Sequence, residues 1–132
     1  GANELAKEGM LYEDILHYYY TDVTIEEYEV QIYKIFEMKT AEIWISENGG
    51  QEELPCLSIL INDDEVVINY FGEDECNFVT VGDEEDSRIV PFCEGQYDVA
   101  GYQVIDKKTA IKGILDYFDS QSMSDNLQWE EL

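Results

Sequence analysis

The sequence predicts an α+β fold: an antiparallel β-meander sheet of about five or six strands, with N-terminal helices and one C-terminal helix packed on it. Three observations predict it. Apolar residues recur at helical spacing before residue 42 and again after residue 106. Between those limits the period drops to two. Short polar turns then cut the alternating stretch into strand-sized pieces. A chain of 132 residues fits a single domain with one core.

Residues 3–20 read as helical in two pieces. Leu5 and Ala6 precede Gly9, a helix stop, and Tyr12, Ile15, Leu16 and Tyr19 then follow the i, i+3, i+4, i+7 spacing of one helical face. Thr24-Ile25-Glu26-Glu27 is a capping box, in which the Thr hydroxyl and the Glu carboxylate each accept from the other residue's end amide. Behind it Tyr28, Ile32, Ile35 and Phe36 share a helical face. Tyr28, Val30 and Ile32 also alternate, so a strand stays open there. Glu42-Ile43-Trp44-Ile45-Ser46 is a strand and Asn48-Gly49-Gly50 a turn. Two β-branched runs, 56–61 and 65–71, flank Asn62-Asp63-Asp64, a short polar connection that signals a hairpin. Residues 77–81 and 88–92 supply two more strands. Pro91 cannot donate to a ladder, which places its strand at an edge or bulge. Residues 101–105 form the last expected strand. Asp106 then caps a helix whose apolar stripe is Ala110, Ile111, Ile114, Leu115 and Phe118.

Charge narrows the function classes. Thirty-one acidic side chains face seven basic ones, a formal charge of −24. Such a field repels nucleic-acid phosphates and anionic lipid. It attracts a cationic protein surface and speeds its encounter, within the roughly 8–10 Å over which salt screens it. Solubility, or life at high salt, is the plain alternative reading. Nucleic-acid binding is disfavoured further because Lys107, Lys108 and Lys112 form the one basic cluster and punctuate the solvent side of the last helix. No run reaches the roughly 18 apolar residues that a membrane span needs. No basic-then-apolar signal pattern opens the chain.

Catalytic motifs are sparse. Cys56, Cys76 and Cys93 include no CxxC, so zinc ligation and thioredoxin-like chemistry lack support, and no metal or cofactor is expected. Cys56 and Cys93 lie in apolar runs and read as core residues, with a reducing cytoplasm as the expected compartment. His17 is the sole histidine and reads as structural, although sequence distance does not forbid a Cys–His pair. Carboxylates are abundant enough that a glycosidase-like pair could always be drawn, so such a pair says little. The acidic runs Glu73-Asp74-Glu75 and Asp83-Glu84-Glu85-Asp86 lack the spacing of a calcium loop. They read either as solvated loops or as patches that dock on basic protein. The Tyr18-Tyr19-Tyr20 run reads as core and rim packing.

Two resemblances add to this reading. Pro55-Cys56-Leu57-Ser58-Ile59-Leu60-Ile61-Asn62-Asp63-Asp64, then Asn77-Phe78-Val79-Thr80-Val81-Gly82-Asp83, then Phe118-Asp119-Ser120 and a closing Gln128-Trp129-Glu130 resemble immunity protein family 1 of bacterial polymorphic toxin systems, over residues 41–132. Ser124 and Asp125 stand where that family commonly has Gly and Pro. The resemblance implies a non-catalytic partner that binds and blocks a cognate toxin, often a nuclease or nucleic-acid deaminase. The first 25 residues, with Asn3-Glu4-Leu5-Ala6 and Tyr12-Glu13-Asp14-Ile15-Leu16-His17-Tyr18-Tyr19-Tyr20-Thr21, are similar to the closing segment of a stage II sporulation protein D domain, with Asp22 where that family usually has Gly. That family acts on peptidoglycan, but its catalytic part has no counterpart here. The expected organisation is one domain over 1–132, with a helical segment at 1–25 and an immunity-protein-like unit at 26–132.

The resulting expectation is a cytoplasmic inhibitor of a basic toxin domain, with no catalytic residues. Glu73, Asp74, Glu75, Asp83, Glu84, Glu85 and Asp86 would steer the partner. Tyr97 and Asp98 would make close contact. The rival readings are a peptidoglycan-remodelling enzyme and a general acidic binding module or DNA mimic.

Overall fold

A computed structural model describes residues 6–8, 15–49 and 53–132. The order of elements is β1 (Ala6–Glu8), β2 (Ile15–Tyr19), α1 (Ile25–Ile35), β3 (Thr40–Ser46), β4 (Cys56–Asn62), β5 (Glu65–Phe71), β6 (Asn77–Val81), β7 (Ile89–Phe92), β8 (Tyr97–Ala100), β9 (Ile105–Asp106), α2 (Lys107–Ser120) and β10 (Gln128–Glu131). The main sheet runs β1-β2-β3-β4-β5-β6-β10, with β9 beside β5, while β7 and β8 form a separate two-stranded ribbon. The fold is α+β with a mostly antiparallel sheet. The helix placement and the strand inventory differ from the sequence reading.

Strong local signals hold. Thr24 Oγ1 accepts from Glu27 N at 3.1 Å, and the Glu27 carboxylate accepts from Thr24 N at 3.0 Å, so the capping box starts α1. The helical alternative therefore wins over the strand at 28–32. Asp63 and Asp64 close the β4–β5 hairpin, with Asp63 in the left-handed region that Asp tolerates better than most residues. Asp106 Oδ1 accepts from Thr109 N at 2.7 Å and caps α2. Pro91 sits in the ribbon, where its missing N–H interrupts no central ladder.

Three expectations are corrected. Ile15, Leu16 and Tyr19 belong to β2, not to a helix. Leu16, Tyr18 and Tyr20 alternate as well, and all three are buried, so the period of two prevails once β3 is available as a partner. β2 lies parallel to β3, and α1 makes the crossover that a parallel pair requires. Ala6 falls in β1, whereas Leu5, Gly9 and Tyr12 lie outside the described residues. In the expected strand at 101–105, Gly101–Gln103 is instead a 3-10 turn and Ile105 alone enters a strand, β9. Finally, Gln128–Glu131 pairs with β6 as β10, a strand that three exposed polar residues and Trp129 did not announce.

The sheet has two unequal faces. Leu16, Tyr18, Ile43, Ile45, Leu57, Ile59, Ile61, Val66 and Ile68 pack under α1 and α2, meeting Tyr28, Ile32, Ile35, Ala110, Ile114 and Tyr117. Burial of each such side chain contributes about 1.5–3 kcal/mol. On the other face the ribbon brings Val90, Phe92 and Cys93 onto Leu60, Val67 and Val79. The ribbon crosses the strands rather than following them. Arg88 reaches Glu65 on β5, the Pro91 carbonyl accepts from Asn62 Nδ2 on β4, and Tyr97 reaches Glu42 on β3.

Candidate partner-binding site

The two acidic runs flank one strand, so the sheet holds them apart. Glu73–Glu75 forms a 3-10 turn before β6, and residues 83–86 follow it. From Cys76 to Gly82 the extended chain spans about 20 Å. β5 separates them in the same sense: Arg88 ties the second run to Glu65, the first residue of β5, whereas Glu73 follows its last, Phe71. They are two patches at opposite ends of the sheet, not one.

Their chemistry differs too. Asp74 and Glu75 both have left-handed φ values, 58° and 61°, a conformation that costs non-glycine residues about 1–2 kcal/mol each. Glu73, Asp74 and Glu75 are all exposed. In the second run the Asp83 carboxylate accepts from Glu85 N at 3.0 Å and its carbonyl from Asp86 N at 3.0 Å, which folds the loop on itself. Asp83, Glu84 and Glu85 are exposed, but Asp86 is occupied. Its carboxylate accepts from Arg88 Nη2 at 2.7 Å and from Arg88 Nε at 3.0 Å. Hydrogen bonds from Arg88 hold the Asp86 carboxyl down at about 2. Asp86 thus neutralises an arginine within the chain and offers little to a partner.

This pair predicts a pH effect with a definite sign. Because the folded carboxyl titrates below its unfolded value of 3.8, the pair contributes stability above about pH 4, and that contribution fades as pH falls towards about 2. Following the Asp86 carboxyl by NMR should give a midpoint near 2 in the native chain and an ordinary one in Arg88→Ala. A native midpoint near 4 would contradict the pairing.

Tyr97 and Asp98 sit on the ribbon. Tyr97 is 37% exposed, and its hydroxyl donates to Glu42 Oε1 at 2.7 Å. The other oxygen of Glu42 accepts from Trp44 Nε1 at 2.6 Å. Glu42 is only 5% exposed, so these donors satisfy a carboxylate under the ribbon. Tyr97 therefore acts as a strut between ribbon and sheet, with its polar end already committed. Asp98 pairs with Pro91 and is exposed on the ribbon. Sequence reading missed Glu42. Its one signal was a carboxylate on the Trp44 side of an otherwise apolar strand.

The Cys–His pair that the sequence left open is not formed with Cys56. His17 on β2 and Cys56 on β4 are separated by β3, a strand-to-strand width of about 10 Å. Burial pushes the Cys56 thiol up to about 11, so it is protonated near neutral pH. Cys93 is buried under the ribbon. No described group of three His, Cys, Asp or Glu side chains is placed to hold a metal ion. No helix among the described residues is long and apolar enough to cross a membrane. A scan of protein-family models and a search of curated proteins find no match to this chain.

Proposed function

We propose that this protein is an immunity protein: it binds a cognate basic toxin domain, of nuclease or nucleic-acid-deaminase type, and occludes its active site. One observation carries the reading, the formal charge of −24. Two features of the surface support it. Exposed acids lie at both ends of the sheet, on α1 and on the ribbon. Basic groups that would blunt the field are partly consumed internally, Arg88 by Asp86 and Glu65, and Lys107 by the Phe36 carbonyl at 2.8 Å. A toxin that grips nucleic acid needs a cationic cleft, and a surface of this sign is its electrostatic complement. The resemblance of residues 41–132 to immunity protein family 1 points to the same class.

The test is to mix the purified chain with the toxin domain encoded beside its gene and measure residual toxin activity. Full, selective protection is the expected result. Protection against many unrelated basic proteins would point instead to a general acidic module, and turnover of peptidoglycan fragments would overturn the reading. Neutralising Asp83, Glu84 and Glu85 to Asn, Gln and Gln should lower the association rate roughly tenfold at low salt, with dissociation changed less than about twofold. An unchanged association rate and salt slope would remove this loop from the interface.

A further inference from the structure

Six of the eleven residues of α1 are apolar, and the fold buries only three of them. Tyr28, Ile32 and Ile35, with Phe36 just beyond, face the core and are buried. Ile25, Val30 and Tyr33 face outward, at 38%, 56% and 52% exposure. An amphipathic surface helix would carry polar residues there. The alternation of Tyr28, Val30 and Ile32, which left a strand open in the sequence, is therefore not explained by burial: Val30 lies in solvent.

Ile25, five residues before Val30, lies about 140° round the helix from it, whereas Val30 and Tyr33 are neighbours one helical turn apart. Exposed Glu26, Glu29 and Glu37 surround them, with Lys34 the basic group on the same side. Beside Val30 runs a shallow groove of about 300 Å³, lined by Glu26, Glu27, Gln31 and Lys34. An aromatic and an aliphatic side chain inside a ring of charge have the anatomy of a small interface centre with a polar rim. On the ribbon the polar end of Tyr97 is already tied to Glu42.

We infer that the outer face of α1 is a docking surface for a cationic protein segment that carries apolar side chains. The sign of the charge selects this occupant. A second copy of the chain would set acid against acid, and phosphate or anionic lipid would be repelled. The inference rests on the reading of the chain as the partner of a basic protein, and it names the surface that such a partner covers. That surface lies across the sheet from the ribbon, so Tyr33 and Asp98 belong to different faces.

The experiment uses the full chain, isotope-labelled for NMR, and a synthetic amphipathic peptide of lysine and leucine. A lysine–glycine peptide of equal charge is the control. The Lys–Leu peptide should perturb the amides of Ile25–Ile35 and bind more tightly than the control. Val30→Asp and Tyr33→Asp provide the decisive contrast, because both make the face more acidic. Attraction by charge alone would strengthen. Docking on the apolar centre should weaken roughly tenfold, with the circular dichroism of the chain unchanged. Equal or tighter binding by these variants, or perturbations confined to Glu73–Glu75 or the ribbon, would overturn the proposal. Failure of the broader reading looks different. If Tyr33→Asp still neutralises the adjacent toxin in full, this surface falls and the immunity role stands. If no basic toxin is neutralised while the peptide still maps to α1, the role falls and the surface stands.

Discussion

Truncating Tyr28 to Ala should lower the unfolding free energy by about 3–5 kcal/mol, the usual cost of deleting a fully buried aromatic ring. Tyr28 has no exposed surface. Its ring lies 5.9 Å from that of Tyr18, 5.8 Å from Tyr20 and 4.8 Å from Phe118, so removing it opens a void where sheet, α1 and α2 meet. Its hydroxyl donates to the Ile114 carbonyl at 2.7 Å and pins one helix to the other. Tyr28→Phe keeps the ring and loses only this bond, for about 1 kcal/mol. Urea unfolding followed by circular dichroism separates the two. Equal losses in both variants would mean that the hydrogen bond, not packing, dominates at this site.

The same cluster makes the fold sensitive to alkali. Burial pushes Tyr18 and Tyr20 up to about 12, and raises Tyr28 and Tyr117 as well. The sign follows from the neutral form being the buried one. Stability is intact below the unfolded Tyr value near 10 and is lost as pH climbs towards about 12, where the unfolded chain ionises and the folded one resists. The part of the tyrosine absorbance that belongs to these four buried rings should therefore rise together with unfolding rather than ahead of it.

Gly82→Ala should cost about 3 kcal/mol, although the change adds a single methyl. A Cβ at Gly82 would collide with the backbone carbonyl oxygen of Val104, and backbone cannot swing aside as a flexible side chain would. The same residue donates its N–H to the Tyr102 carbonyl at 2.6 Å, which fixes where the chain leaves β6 and enters the 83–86 loop. Gly95→Ala is the matched control. Its Cβ would meet nothing within 4 Å, and only its left-handed φ of 85° opposes the change, at about 1 kcal/mol. Thermal unfolding of the two variants should rank them in that order. A Gly82 variant as stable as the native chain would show that the 101–104 turn yields easily.

Some of this molecule was legible residue by residue. Thr24 and Glu27 announced the start of α1, Asp106 the start of α2, and Asn62-Asp63-Asp64 the central hairpin, because each signal is a contact between residues at most a few positions apart. The charge, which carries the functional proposal, is composition and needs no fold at all.

What lay beyond the sequence was every choice of distant partner. Ile15–Tyr19 satisfies both periods, and only the vacant edge of β3 made it a strand. Gln128–Glu131 pairs with β6 through backbone groups that all residues share. Tyr97 looked free to meet a toxin until the ribbon carried it across to Glu42. The acidic runs are divided by only a short stretch of sequence, yet a strand is extended and sets its two ends far apart. Local hydrogen bonds and charge are written in neighbouring side chains; strand pairing uses a backbone common to the whole chain, so its outcome is decided by which surfaces the folded molecule leaves to be covered.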